Sequence, residues 1–236
     1  GLSPVAPLIR AGEEGQLADC LKWLDLQPKG SVIFVSFGSA GTLSTEQLGG
    51  LALGLEASGQ RFLWVVRSPM DLNSAGTYFT ARSADNPFAY LPEGFLERTK
   101  GVGLVVSSWA PQVEVLGHCS TGGFLSHGGW NSTLESMASG VPMIVWPLFA
   151  EQRMNAVLLV EGVGAAMALK VRQDGVYDRE EIGRVVRELM EGEEGERTRK
   201  RAKELQVEAA AAMGEGGSSA VALAAVAEKW KSFTAR

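Results

Sequence analysis

The sequence has little cysteine, little histidine, no excess of positive charge and no long uninterrupted apolar run. Two cysteines, Cys20 and Cys119, among 236 residues form neither a disulfide framework nor, by themselves, a zinc site. They fit a reducing compartment, and a cytoplasmic location is expected. No stretch reaches the ~18 apolar residues of a membrane-spanning helix. The most apolar run, 155–171, is broken by Glu161. Lysine and arginine total 22 against 27 acidic residues, a net charge of −5. Nucleic-acid binding through phosphate neutralisation is therefore a poor expectation. The one basic run, Arg197 to Arg201, follows acidic residues and reads as a solvated helix face. The 29 glycines follow no Gly-X-Y repeat, which excludes collagen. No Gly-x-Gly-x-x-Gly follows the first apolar run, which weighs against a nicotinamide dehydrogenase. The start, Gly1-Leu2-Ser3-Pro4, shows no initiator Met and no signal-peptide pattern. It is expected to lie inside a longer protein.

What is present is a folding chain. Apolar residues make up 45% and charged residues 21%, too apolar for disorder. The length suits one large domain or two modest ones. Short apolar runs at 31–37, 61–67, 102–107, 123–126, 142–146 and 165–170 predict strands. Helical patterns fall at 44–58, 111–117, 131–139 and 151–161, with 179–190, 193–213 and 218–233 closing the chain. Ser44 and Gln47 open the first of these as a capping box. Six strands separated by helices predict an α/β fold, a doubly wound Rossmann-like parallel sheet covered on both faces. In such sheets ligands bind beyond the carboxyl ends of the strands. The segment 68–91 is long for a loop inside a compact domain. The apolar tail 220–231 predicts a helix that packs on its own domain or on a partner outside this chain.

The strand ends carry the chemistry. Phe37-Gly38-Ser39 ends the first strand. Ser126-His127-Gly128-Gly129-Trp130-Asn131-Ser132 joins a strand to a helix through glycines that permit close backbone approach. Asn131, Ser132 and Thr133 place polar groups at a helix N-terminus, which carries roughly +0.5 of a charge and favours phosphate. Ser132 with Glu135 equally fits a capping box that only closes the helix. Glu135 shares a helix face with Asn131, and its carboxylate suits a ribose diol. Trp109 is either a core side chain or a platform for a base. Gln112 matches the carbonyl and N–H of a base edge. Glu151 and Gln152 suit paired sugar hydroxyls, or Glu151 simply complements a helix dipole.

These residues converge on a family. The 44 residues from Trp109 to Gln152 read WAPQVEVLGHCSTGGFLSHGGWNSTLESMASGVPMIVWPLFAEQ. They resemble the signature of plant family 1 UDP-dependent glycosyltransferases nearly throughout. The spacing of W-A-P-Q, H-x-G-W-N-S-x-x-E, V-P and E-Q is specific, and the likeness runs from Pro4-Val5-Ala6-Pro7-Leu8 to Trp230. Segment 68–91, with Phe95-Leu96-Glu97-Arg98-Thr99, resembles the branch that glucosylates hydroquinone and other small phenols. The resemblance implies the C-terminal, donor-binding half of a GT-B fold over 1–236, with the N-terminal acceptor domain outside this chain.

It also implies roles. Trp109 stacks on uracil, and Gln112 with the backbone of Ala110 addresses its edge or the ribose. Glu135 holds the ribose hydroxyls. His127, Asn131, Ser132 and Ser39 contact the diphosphate. Trp130 lies beside the sugar, and Glu151 and Gln152 bind its hydroxyls, the Gln favouring glucose. Gly128 stands where Cys is common, and Glu151 where Asp is common; both changes should be mild. The family's general base is a His of the N-terminal domain oriented by an Asp, so no catalytic residue is assigned here, and neither His118 nor His127 is taken as base. The sequence has no Asp-x-Asp for a metal, and the family is metal-independent. No cofactor is expected beyond UDP-glucose as substrate; the expected partners are UDP-glucose or UDP, a small phenolic acceptor and the N-terminal domain, without nucleic acid or a membrane span. The alternative is a non-catalytic nucleotide-sugar module, or a subunit completed by a separate acceptor chain.

Overall fold

The computed structural model describes residues 13–39, 41–70 and 86–234. The first residues of the family resemblance and most of the long loop at 68–91 lie outside the described residues. Helix α1 (Glu13–Asp25) leads into β1 (Val32–Ser36), α2 (Thr45–Ser58) and β2 (Arg61–Val66). A 3-10 turn at Pro87–Tyr90 and the short α3 (Phe95–Arg98) precede β3 (Gly103–Ser107) and α4 (Gln112–Gly117). Then come β4 (Thr121–Ser126), α5 (Trp130–Ser139), β5 (Met143–Val145) and α6 (Gln152–Val157), which continues through a π-helical turn at Leu158–Val163. Strand β6 (Ala166–Ala168) is followed by α7 (Arg179–Glu191), α8 (Glu193–Met213) and α9 (Ser218–Thr234).

The six strands form one parallel sheet in the order β3-β2-β1-β4-β5-β6. That is the order of the doubly wound dinucleotide-binding fold, whose ligand crevice opens where strand order reverses, between β1 and β4. The expected α/β class and strand count are borne out. Helix α1 and the two short helical turns before β3 were not anticipated. Helix α1 was nonetheless legible, since Leu17, Cys20, Leu21 and Leu24 stand at helical spacing; the turns are too brief to show a period.

Period-two alternation divides the core. Ile33, Val35, Phe62, Trp64, Leu125 and Ile144 face α2 and α7 on one side. Val32, Phe34, Leu63, Phe124, Met143 and Val145 face α1, α4 and the α6 segment on the other. The rings of Phe34 and Phe124 stack at 5.1 Å. Helices α2 and α7 cross closely because Gly54 lies against Ile182. Both ends of α2 are closed as its sequence dictates. The Ser44 side chain accepts from Gln47 N–H, and Gly59 takes the left-handed C-cap at φ 68°. Only half of the expected capping box forms, since Gln47 Nε2 donates to Gly175 O instead.

Cys20 sits fully buried in the core, its thiol pushed up to about 11 by burial and the neighbouring Asp19 charge. In the basic run, Arg201 pairs with Glu204 and Glu208, while Thr198 is buried, so that run is not solvated all round. Within Glu193–Lys231 one 18-residue window is apolar enough by composition to span a bilayer, although the first half of the stretch is highly charged. The stretch comprises two helices, interrupted by a turn in which Gly217 N–H bonds Gly214 O and Gly216 has φ 73°.

Candidate functional site

Ser36 pairs with Ser126 across the β1–β4 ladder. The two loops that follow, Phe37-Gly38-Ser39 and His127-Gly128-Gly129, therefore leave the sheet side by side. The His127 ring fills the space between them. Its Nδ1 lies 3.1 Å from Ser126 Oγ. A Cβ on Gly38 would come within 2.8 Å of the ring, and one on Gly129 within 2.4 Å. Gly129 is expected from the sequence to admit a ligand; in the structure Gly38 and Gly129 make room for the imidazole. A Cβ on Gly128 would make only ordinary contacts, with Gln152 O at 3.6 Å and a Val145 methyl at 3.8 Å, but the residue has a φ of 74°. A Cys there would sit in left-handed backbone at a cost of roughly 1–2 kcal/mol, so glycine is the less strained residue at that position. Burial pushes the His127 imidazole below its ordinary value, and the Glu151 carboxylate partly offsets this. The ring is then neutral at pH 7 in the unliganded protein.

Helix α5 starts at Trp130 with Gly129 as N-cap, and no side chain caps it. The capping-box reading of Ser132 and Glu135 therefore fails. Both side chains turn instead to α4. Gln112 Nε2 donates to Ser132 Oγ at 2.9 Å and to Glu135 Oε2 at 2.7 Å. An ionised carboxylate only accepts, which fixes the amide's orientation and leaves Gln112 Oε1 as an acceptor. Base-edge recognition by Gln112 is thereby narrowed to an N–H donor. The Thr133 hydroxyl is buried and unpartnered among the described residues. Asn131 and Trp130 are exposed at the first turn.

Trp109 is half-buried and Ala110 buried, both beyond the end of β3. Glu151 is exposed and opens α6 without capping it by its side chain. Gln152 is 4% exposed, and its Oε1 accepts from the N–H groups of Leu148 and Phe149. Its Nε2 is left to donate, so toward a sugar Gln152 acts as a hydrogen-bond donor only.

Three features of the site escaped the sequence reading. Buried Asn155 donates from Nδ2 to Gly128 O at 2.9 Å and ties α6 to the His127 loop. A poor helix former inside an apolar helical pattern was the available signal. Ser108 (φ 65°) and Ala150 (φ 53°) are the two non-glycine residues with left-handed backbone among the described residues. Each directly precedes an expected donor contact, Trp109 and Glu151. Strain of this kind persists where surrounding structure over-determines it, and it concentrates at ligand sites. His118, without an assigned role, receives Ser120 N–H at Nδ1 and donates from Nε2 to Asp25 Oδ1 at 3.1 Å. It tethers α1 to the α4–β4 connection.

The class these features define is a nucleotide-sugar-binding half of a GT-B transferase, with its crevice at the sheet's switch point. The chain belongs to the UDP-glucoronosyl and UDP-glucosyl transferase family, whose profile matches residues 16–194. It is 56% identical to hydroquinone glucosyltransferase of Rauvolfia serpentina, over 97% of this chain and 49% of that protein. It is 55% identical to UDP-glycosyltransferase 72B1 of Arabidopsis thaliana, over 97% of this chain and 48% of the relative. Among solved structures, it superposes on Phytolacca americana UGT2 complexed with UDP-2fluoro-glucose and pterostilbene with a TM-score of 0.82 and 54% identity. That match covers 97% of this chain and 48% of the other. The chain spans about half the length of the curated relatives it matches and corresponds to the C-terminal, donor-binding half of the GT-B architecture.

Proposed function

We propose that the chain binds UDP-glucose and forms the donor half of an inverting, metal-independent glucosyltransferase acting on a small phenolic hydroxyl. The observation that carries this reading is the hydrogen-bonded set Gln112–Ser132–Glu135 beside an uncapped α5 N-terminus, at the β1/β4 switch point. Trp109 stacks on the uracil, a contact worth roughly 1–3 kcal/mol. Gln112 Oε1 and the Ala110 backbone take the base edge. The Glu135 carboxylate accepts from the ribose hydroxyls at roughly 1.5–3 kcal/mol per charge-assisted bond. Ser39, His127, Asn131 and Ser132 surround the diphosphate. Trp130, Glu151 and Gln152 meet the sugar, Glu151 accepting and Gln152 donating.

In the reaction, the acceptor oxygen attacks the anomeric carbon as the bond from that carbon to the UDP oxygen breaks. The acceptor proton passes to a base, and negative charge grows on UDP. Within this half, the α5 N-terminus and the surrounding donors stabilise that charge. A base is typically worth roughly 10²–10⁴-fold, and we place it in an N-terminal acceptor domain, consistent with relatives about twice as long. The hydroquinone glucosyltransferase relative and the pterostilbene-bound structure support a phenolic acceptor. The exposed apolar residues Val221, Leu223, Val226 and Trp230 of α9 suit a surface for that domain. The free thiols Cys20 and Cys119 suit a cytoplasmic site of action.

Calorimetric titration of the chain with UDP tests the donor reading. Binding with a matching thermal shift is expected, and transfer to hydroquinone by the chain alone is expected to be absent. No heat and no thermal shift at millimolar UDP would overturn it.

A further inference from the structure

We propose that Arg67 is a positioning residue for the donor diphosphate: it clamps the carbonyls of the Gly38–Ser39 turn from behind and places a positive charge there. The inference rests on the donor-site reading above and adds a residue just after β2, a segment to which the sequence motif assigns nothing.

Arg67 directly follows β2, and its guanidinium is half-buried. One terminal nitrogen donates to Gly38 O at 2.9 Å and also to Ser39 O. A trans peptide is planar, with its C=O and N–H on opposite sides. Drawing the Gly38 carbonyl toward Arg67 therefore turns the Ser39 N–H away from it. The same turn presses Gly38 against the His127 ring, since even a Cβ there would lie 2.8 Å from Cε1. Two expected diphosphate contacts, Ser39 and His127, thus depend on one turn whose backbone Arg67 holds.

The charge matters beyond the geometry. Burial works against the ionised guanidinium, lowering its proton affinity, and no carboxylate among the described residues compensates it. Arginine nevertheless stays protonated. A half-buried cation with no carboxylate partner among the described residues is relieved by an incoming anion, and a diphosphate at the turn supplies one. A staple serving only stability would lack this preference for phosphate.

The test titrates the 236-residue chain and its Arg67→Met and Arg67→Lys variants with UDP, UMP and uridine, with circular dichroism and thermal melts in parallel. UDP affinity of Arg67→Met is expected to fall about tenfold or more, the scale of one lost charge-assisted bond. Uridine affinity should stay within about twofold, because the base and ribose contacts lie elsewhere. Arg67→Lys, which keeps the charge on a shorter side chain with a more strongly hydrated head, should fall between. Undiminished UDP affinity in Arg67→Met would overturn the proposal, as would equal losses for UDP and uridine. If Arg67→Met does not fold, Arg67→Lys decides by the same UDP-to-uridine ratio. A wild-type chain that binds none of the three ligands overturns the donor reading itself, and this inference with it.

Discussion

At Ser108 and Ala150 the chain accepts left-handed backbone immediately before the residues expected to hold the base and the sugar. Each costs roughly 1–2 kcal/mol relative to glycine, against an entropy loss for glycine of roughly 0.5–1 kcal/mol. Strain relief is the larger effect, so Ser108→Gly and Ala150→Gly should each raise the melting temperature slightly; a clear drop in either would show that the side chain is required for stability. Gly38 behaves oppositely. Gly38→Ala adds a Cβ at φ 72° and drives it into the His127 ring, so both the melting temperature and UDP affinity should fall, the latter about tenfold. His127 itself predicts a pH dependence. Its folded value is depressed by burial, so the unfolded chain binds the extra proton first. The stability this group contributes is full above about 6.5, and is lost as pH falls from there through the folded value. Denaturant melts between pH 7.5 and 5 should show this slope, and His127→Asn should flatten it; an unchanged slope would contradict the burial argument. Much of the candidate site was legible at this scale, because Trp109, Gln112, His127, Glu135 and Gln152 stand in a rigidly spaced motif. Hydrogen-bond direction was not legible. That Gln112 keeps only an acceptor, and Gln152 only a donor, follows from partners 20 residues or more away for Gln112 and from a local turn for Gln152.

The elements explain which features of the sequence could be read. Strands β1 and β2 are buried almost throughout, and such strands read as continuous apolar runs; β4, TGGFLS, is equally buried yet shows only Phe124 and Leu125 as large apolar residues. Helix ends were less transparent. Ser132 and Glu135 have capping-box spacing, yet the helix begins at Trp130, which places Ser132 inside its first turn and frees both side chains for Gln112. Moving the N-cap by three residues, from Ser132 to Gly129, therefore separates a structural reading from a functional one. Packing between elements is likewise a tertiary property. Gly54 appears in the sequence as a weak point in a helix, but it permits the α2–α7 crossing. An added Cβ would lie 2.7 Å from Ile182 side-chain carbons and 3.0 Å from Arg179 O. Gly54→Ala gains about 1 kcal/mol of helix propensity, while overpacking costs roughly 1–3 kcal/mol. The backbone oxygen cannot rotate away, so the variant should be less stable in urea. A stabilised variant would mean that α7 shifts freely.

For the whole molecule, the length of 236 residues first suits an independent protein, but comparison makes it about half of its relatives. The sheet order, the β1/β4 crevice and the identity to UDP-dependent transferases agree on a donor-binding half. The acceptor is legible only through relatives, because the side chains that would select it are expected in the other half. The apolar Leu223 and Val221 of helix α9 are exposed, which suits the proposed pairing. Joined to an acceptor half from a relative, the chain should transfer glucose, and a lasting absence of transfer would favour a binding module without catalysis. The central claim concerns where the nucleotide sits, and a crystal structure of the chain soaked with UDP addresses it most directly. The account predicts uracil against Trp109, ribose hydroxyls on Glu135, and the diphosphate between the Gly38–Ser39 turn and the first turn of α5. UDP bound elsewhere, or that crevice closed to it, would contradict the account.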